Sequence, residues 1–189
     1  MNQFRSKQGL TLIEMLIVIA IIGILASAAI PNYSRWKEKY EINGETKKVY
    51  FDLLLAHSTA ISNNHNVLVT FDSDNHIYRV HGDKNDNALE EAGEDIKIVK
   101  LNDEDRVQFN FNAGVSDVDG NPVLKPISFA SNGNTITFNS RGQASTSGSI
   151  FLIHKNDIGV SNNRLRSINI IQSTGSIDSL ELTSEGVWR

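Results

Sequence analysis

The chain has 189 residues, a formal net charge of -4 and no cysteine, with hydrophobic residues making up 40% of it. That length suits one domain plus an appendage. The charge gives no global pull toward nucleic acid or anionic lipid, and the missing thiols exclude disulfides, thiolate metal sites and a cysteine nucleophile.

Hydrophobicity is unevenly distributed. Met1 to Gly9 is polar, carrying Arg5 and Lys7 and no acid, a flank expected to stay on the cytoplasmic side. Leu10 to Ile30 is apolar apart from Thr11, Glu14, Gly23 and Ser27. As a helix these 21 residues would be about 31 Å long, close to the ~30 Å hydrocarbon core of a bilayer. The spacing predicts a single span, with everything after it across the membrane. Two plainer readings stand beside this one. Ala26-Ser27-Ala28 has the form of a signal-peptidase site, whose use would release a β-domain, and the segment could be a simple anchor. Neither accounts for Glu14, since an acid inside a membrane helix costs ~2.5 kcal/mol or more without a partner.

Gly9-Leu10-Thr11-Leu12-Ile13-Glu14-Met15-Leu16 resembles the processing motif of type IV prepilins and type II secretion pseudopilins. The resemblance implies that a membrane prepilin peptidase cuts between Gly9 and Leu10 and that the new terminus is methylated. Leu10 stands where the family prefers phenylalanine. It further implies that Glu14 acts in filament assembly and that Pro31 kinks the helix, as its missing amide proton would. Cleavage would leave an ammonium at Leu10 about one helical turn from Glu14, able to pair within the subunit or with a neighbour. Gly23 and the alanines at 20, 26, 28 and 29 would let helices pack closely.

Helical character resumes from Tyr33 to about Ser62. Its first half, with Arg35, Lys37, Glu38, Lys39, Glu41, Glu45, Lys47 and Lys48, suits a solvated or inter-subunit face. The second half carries Val49, Tyr50, Leu53, Leu54, Ala56, Ala60 and Ile61 at three- and four-residue spacing, a stripe expected to lie against a sheet.

Beyond Asn63 the pattern changes to period two. Expected strands are Val67–Phe71, Ile77–Val80, Ile96–Leu101, Val107–Phe111, Ile127–Phe129, Thr135–Phe138, Ser149–His154 and Leu165–Gln172. Turns are expected at Asp119-Gly120, Asn132-Gly133 and Ser147-Gly148. The predicted fold is α+β, a long N-terminal helical spine packed on a β-rich head of antiparallel sheets. Four regions follow: leader 1–9, membrane or filament-core helix 10–30, amphipathic helix 31–62 and periplasmic head 63–189.

The stretch Thr135 to Gly142, then Gly148 to Leu152, Arg166 to Ile171 and Thr174 to Ile177 resembles FimT-like minor pilins and the H-type minor pseudopilin of type II secretion. This resemblance implies a structural subunit that initiates or caps a filament, with no catalytic residues. Its partners would be other pilins or pseudopilins, the prepilin peptidase, the assembly platform protein and the inner membrane. The alternative from another class is a secreted or anchored β-domain that binds a ligand.

Two loops hold acids. Asp83, Asn85, Asn87, Glu91 and Glu94 occupy calcium-ligating positions of an EF-hand-like loop, but Ala88 stands where glycine is needed. They are weak calcium candidates, and no metal or cofactor is expected. Asp117 to Asn121 is a second oxygen-rich turn. The five histidines, 57, 65, 76, 81 and 154, lack ligand spacing. Some FimT-like pilins bind DNA through basic C-terminal residues. Here Arg164, Arg166 and Arg189 are interspersed with Asp178, Glu181 and Glu185, which opposes phosphate binding.

Overall fold

A computed structural model describes residues 11–85, 87, 94–101, 104–131, 133–183 and 185–189. The chain divides into two units, Met1–Glu38 and Lys39–Arg189, with helix α1 (Leu12–Asn63) contributing to both.

In the first unit the large apolar side chains of Leu12 to Ile30 are 48% to 78% exposed. A helix that is apolar on every side has no core-facing stripe of its own and requires an apolar surrounding. Among the described residues no single helix is long and apolar enough to cross a membrane. Leu12–Ser27 and Asn32–Asn63, which bend at the break between them, pass that test together by length and composition. Pro31 falls in that break.

In the second unit α1 has a clear buried stripe. Ile42, Thr46, Val49, Leu53, Ala56 and Ala60 are all buried, alternating four- and three-residue steps that keep one face inward. The stripe therefore starts inside the stretch whose charges had pointed to a solvated face. Thr46 tolerates burial because its hydroxyl donates to the Ile42 carbonyl at 2.7 Å.

Among the described residues the head has nine strands: β1 (Asn66–Asp72), β2 (Ile77–Asp83), β3 (Asp95–Lys100), β4 (Val107–Phe109), β5 (Ile127–Phe129), β6 (Thr135–Phe138), β7 (Gly148–His154), β8 (Arg166–Ile170) and β9 (Ile177–Glu181). One antiparallel sheet runs β3-β2-β1-β6. The other runs β4-β7-β8-β9, with β5 also pairing with β7. The α+β expectation holds, and eight strands lie where the sequence placed them. The ninth, β9, was not anticipated. Its sequence Ile-Asp-Ser-Leu-Glu sits at a sheet edge with polar groups on both faces, so it lacks the alternation that marks a half-buried strand.

Packing explains why β7 is buried along nearly its whole length. Ile150 and Leu152 join the main core with the helix stripe. On the opposite face Phe151 and Ile153 are covered by Val115, Val123, Leu165 and Leu182, with Phe111 and Trp188 packed against them. Phe71 joins the two sheets. Its ring lies 5.9 Å from Tyr78 in its own sheet, and 5.7 and 6.1 Å from Phe109 and Phe129 in the other.

Ser147-Gly148 is not a turn. Gly148 opens β7 opposite Phe129, and a Cβ there would lie 2.4 Å from the Ser128 carbonyl oxygen and 2.5 Å from the Phe129 ring. The glycine serves close strand approach, not a reversal of direction. Gly148→Ala should destabilise the head by about 2–3 kcal/mol, read as a lower urea midpoint of the full chain in detergent. Asn132 of the expected Asn132-Gly133 turn lies outside the described residues.

Candidate functional site

The processing residues Gly9 and Leu10 lie outside the described residues. Immediately after them, Thr11 and Glu14 form a reciprocal cap. The Thr11 amide and hydroxyl donate to Glu14 Oε2 at 2.8 and 2.9 Å, and the Glu14 amide donates to Thr11 Oγ1 at 3.3 Å. This is a capping box, which satisfies otherwise orphaned amides at a helix start. The signal was present in the sequence as Thr-x-x-Glu before an apolar run. It gives Glu14 a local role in addition to any pairing with an ammonium.

Where the helix meets the head, polar side chains fix its register on both sheets. Asp52 accepts from the Tyr78 hydroxyl at 2.5 Å and from Lys97 Nζ at 2.7 and 2.8 Å. Burial, and then the hydrogen bond to Asp52, raise the Tyr78 phenol above its ordinary range, so it remains a donor. Glu41, read from sequence as part of a solvated or inter-subunit face, takes His154 at 3.3 Å and Arg106 at 3.1 Å.

Turns at Gly142 and Gly175, both with positive φ, meet on one helix residue. His57 Nε2 lies 3.0 Å from the Gly142 carbonyl. A Cβ on Gly175, whose φ is +62, would sit 2.4 Å from that carbonyl and 2.8 Å from the His57 ring. Only glycine fits there, on conformation and on space.

Two of the three basic C-terminal residues, Arg164 and Arg166, are committed to the head. Arg164 makes a bidentate pair with buried Asp157 at 2.6 and 2.7 Å. Arg166 is 3% exposed, donates to Asn43 on the helix at 3.0 Å, and lies 3.1 Å from Glu181 on β9. Burial pulls its guanidinium below the usual range, with Glu181 opposing. Both arginines are thus held in protein ion pairs, while phosphate recognition requires clustered, accessible cations.

The calcium candidates are similarly engaged. Asp83 is fully buried and accepts the Asn87 amide at 3.0 Å; the Asn85 side-chain oxygen accepts the same amide at 3.1 Å. Glu94 meets His81 at 3.2 Å and accepts the Lys84 amide at 3.2 Å. Ala88 and Glu91 lie outside the described residues. Among those described, no group of three or more His, Asp or Glu side chains converges as a metal site. In the other acid-rich turn Asp117 accepts amides of Asp119 and Asn121 at 3.0 and 2.8 Å.

Comparison with known proteins agrees with this architecture at both ends of the chain. The family model for type II transport protein GspH matches residues 45–175, and that for the prokaryotic N-terminal methylation motif matches residues 4–30. The fold resembles the minor pseudopilin EpsH from the type 2 secretion system of Vibrio cholerae, with TM-score 0.50 and 16% identity, covering 75% of this chain and 97% of that one. It also resembles the Pseudomonas aeruginosa type IV minor pilin FimU, with TM-score 0.51 and 12% identity, covering 76% and 90%. At these identities the likeness is one of fold. A fimbrial protein of Pseudomonas aeruginosa is 42% identical over 45 residues, 24% of this chain and 29% of that protein. The fimbrial protein EcpB of Eikenella corrodens is 49% identical over 47 residues, 25% and 27% respectively. The match thus spans less than a third of these fimbrial proteins' length. The GspH model covers more than two thirds of the chain, and the chain belongs to the type II transport protein GspH family.

Proposed function

We propose that this protein is a minor pilin or pseudopilin, a non-enzymatic structural subunit that helps initiate or cap a type IV pilus or type II secretion pseudopilus. One observation carries the reading: a prepilin-type methylation motif and a GspH-family head occur in a single chain. The subunit is held in the inner membrane by its apolar helix with the head in the periplasm. Prepilin peptidase cuts between Gly9 and Leu10 and the new terminus is methylated. The helix then passes, through an assembly platform protein, from lipid into a filament of other pilins or pseudopilins. Pro31 causes the break between Ser27 and Asn32 by removing an amide donor.

Gly9→Phe tests the processing step. It should leave an uncut precursor in the membrane fraction, detected by intact mass, because the bulky ring blocks the scissile position without altering the apolar span. Normal cutting of this variant would contradict the assignment, and cutting after Ala28 would favour the released β-domain.

The Asp83–Glu94 loop holds no structural cation in this proposal. Millimolar calcium should leave the melting temperature of the full chain unchanged. Calcium at a hundred times the Kd of a real site would add about 2.7 kcal/mol, enough to be obvious.

A further inference from the structure

The face of the second sheet turned away from α1 is covered only in part. Phe151, Ile153 and Leu165 lie beneath the second core cluster, while the rest of that face opens into a groove of about 840 Å³. Strand register builds its floor. Ser128 on β5 stands opposite Ser149 on β7, Ser149 opposite Asn169 on β8, and Asn169 opposite Asp178 on β9. Four polar side chains thus form one row across four strands, about 14 Å long at ~4.8 Å between strands.

Asn169 is the centre of that row and is only 8% exposed. Its side-chain oxygen accepts the hydroxyls of Ser149 at 2.6 Å and Ser167 at 2.8 Å. Its amide nitrogen has no partner among the described residues, and the residue lines the groove. That nitrogen is open to the groove rather than sealed in the core, so it is left for water or a ligand to complete. The wall carries matching charge. Asp117, Asp119 and Asp178 line the groove, and no lysine, arginine or histidine does so among the described residues. Asp117 is consumed by its own turn, which leaves Asp119 and Asp178 facing the space. Val118 and Ile171, each 46% exposed, add apolar surface at the rim.

We propose that this groove binds an extended segment of another protein that carries lysine or arginine. Such a segment advances ~3.4 Å per residue, so about four residues span the row. Its main-chain carbonyls would accept from the Asn169 amide and the Ser128 hydroxyl, and its cationic side chains would reach Asp119 and Asp178. The floor reads the main chain while the wall selects charge, and both are required for specific capture. Among the described residues these carboxylates belong to no metal-binding group.

The test uses the full chain in dodecyl maltoside micelles and a fluorescein-labelled peptide of alternating serine and lysine, followed by fluorescence anisotropy. Saturable binding is expected for this peptide and not for an alternating serine–glutamate peptide. Combining Asp119→Asn with Asp178→Asn should weaken binding at least about tenfold, since charge-assisted hydrogen bonds are lost. Ser128→Arg, at an exposed position, should abolish binding by placing a competing cation in the groove without touching the core. The proposal is overturned if wild-type chain shows no binding up to about 1 mM peptide, or if both variants bind as wild type does. It is equally overturned if spermidine displaces the peptide at the same concentration, since the groove would then read charge alone. Binding is measured on solubilised subunits, so its outcome is separate from that of the filament assignment.

Discussion

Replacing Glu14 by valine or by glutamine should leave a folded, membrane-held subunit that fails to enter filaments. Glu14 is a carboxylate in an otherwise apolar helix, about one turn from the ammonium that processing would create at Leu10. Within a packed filament, deleting one member of a buried charge pair costs on the order of 3–5 kcal/mol, enough to exclude a subunit competing with intact ones. The capping box with Thr11 makes the pair of substitutions informative. Glutamine can still serve the cap, as the motif accepts Glu or Gln, but carries no charge. Valine loses both, with about 1 kcal/mol of additional helix-start destabilisation. Equal exclusion of the two variants from sheared filaments identifies charge pairing as the function. Wild-type entry by Glu14→Gln would assign Glu14 to helix capping, and loss of the protein altogether would assign it to insertion or stability.

Phe71→Ala should be the most damaging single change in the head, costing about 3–5 kcal/mol. Phe71 is 1% exposed and its ring contacts aromatic side chains of both sheets. Truncation therefore opens a cavity where the sheets join and cannot be relieved by moving one strand. A urea melt of the full chain in detergent, followed by near-ultraviolet circular dichroism, reads the loss. Phe51, 60% exposed on α1, is the control, and Phe51→Ala should shift stability by less than about 0.5 kcal/mol.

Much of this architecture is legible in the residues, and what is not has physical causes. The period-two stretches announce β1 to β8 because each buries at least one face. β9 is hidden because an edge strand with Asp178, Ser179 and Glu181 needs a partner, β8, before it has an inside. The helix stripe is legible from Val49, yet its start at Ile42 is masked by flanking charges whose roles are tertiary. Glu41 reaches His154, 113 residues later, and Arg166 reaches Asn43 across 123 residues. No local pattern encodes such pairs. Gly148 reads as a turn residue in sequence because the same residue type serves a turn and a close strand contact, and only the opposing Phe129 distinguishes them. The capping box, by contrast, was fully written in Thr11 and Glu14. The Ser128–Ser149–Asn169–Asp178 row exists only through register, which joins four residues from separate strands.

The most direct measurement is the mass of the N-terminal peptide of this chain recovered from sheared filaments, expressed beside its native partner subunits. A peptide beginning at Leu10 with one added methyl group on its amine is expected in the filament fraction. A chain absent from filaments, or one there beginning at Met1, Ala29 or Asn32, would contradict it.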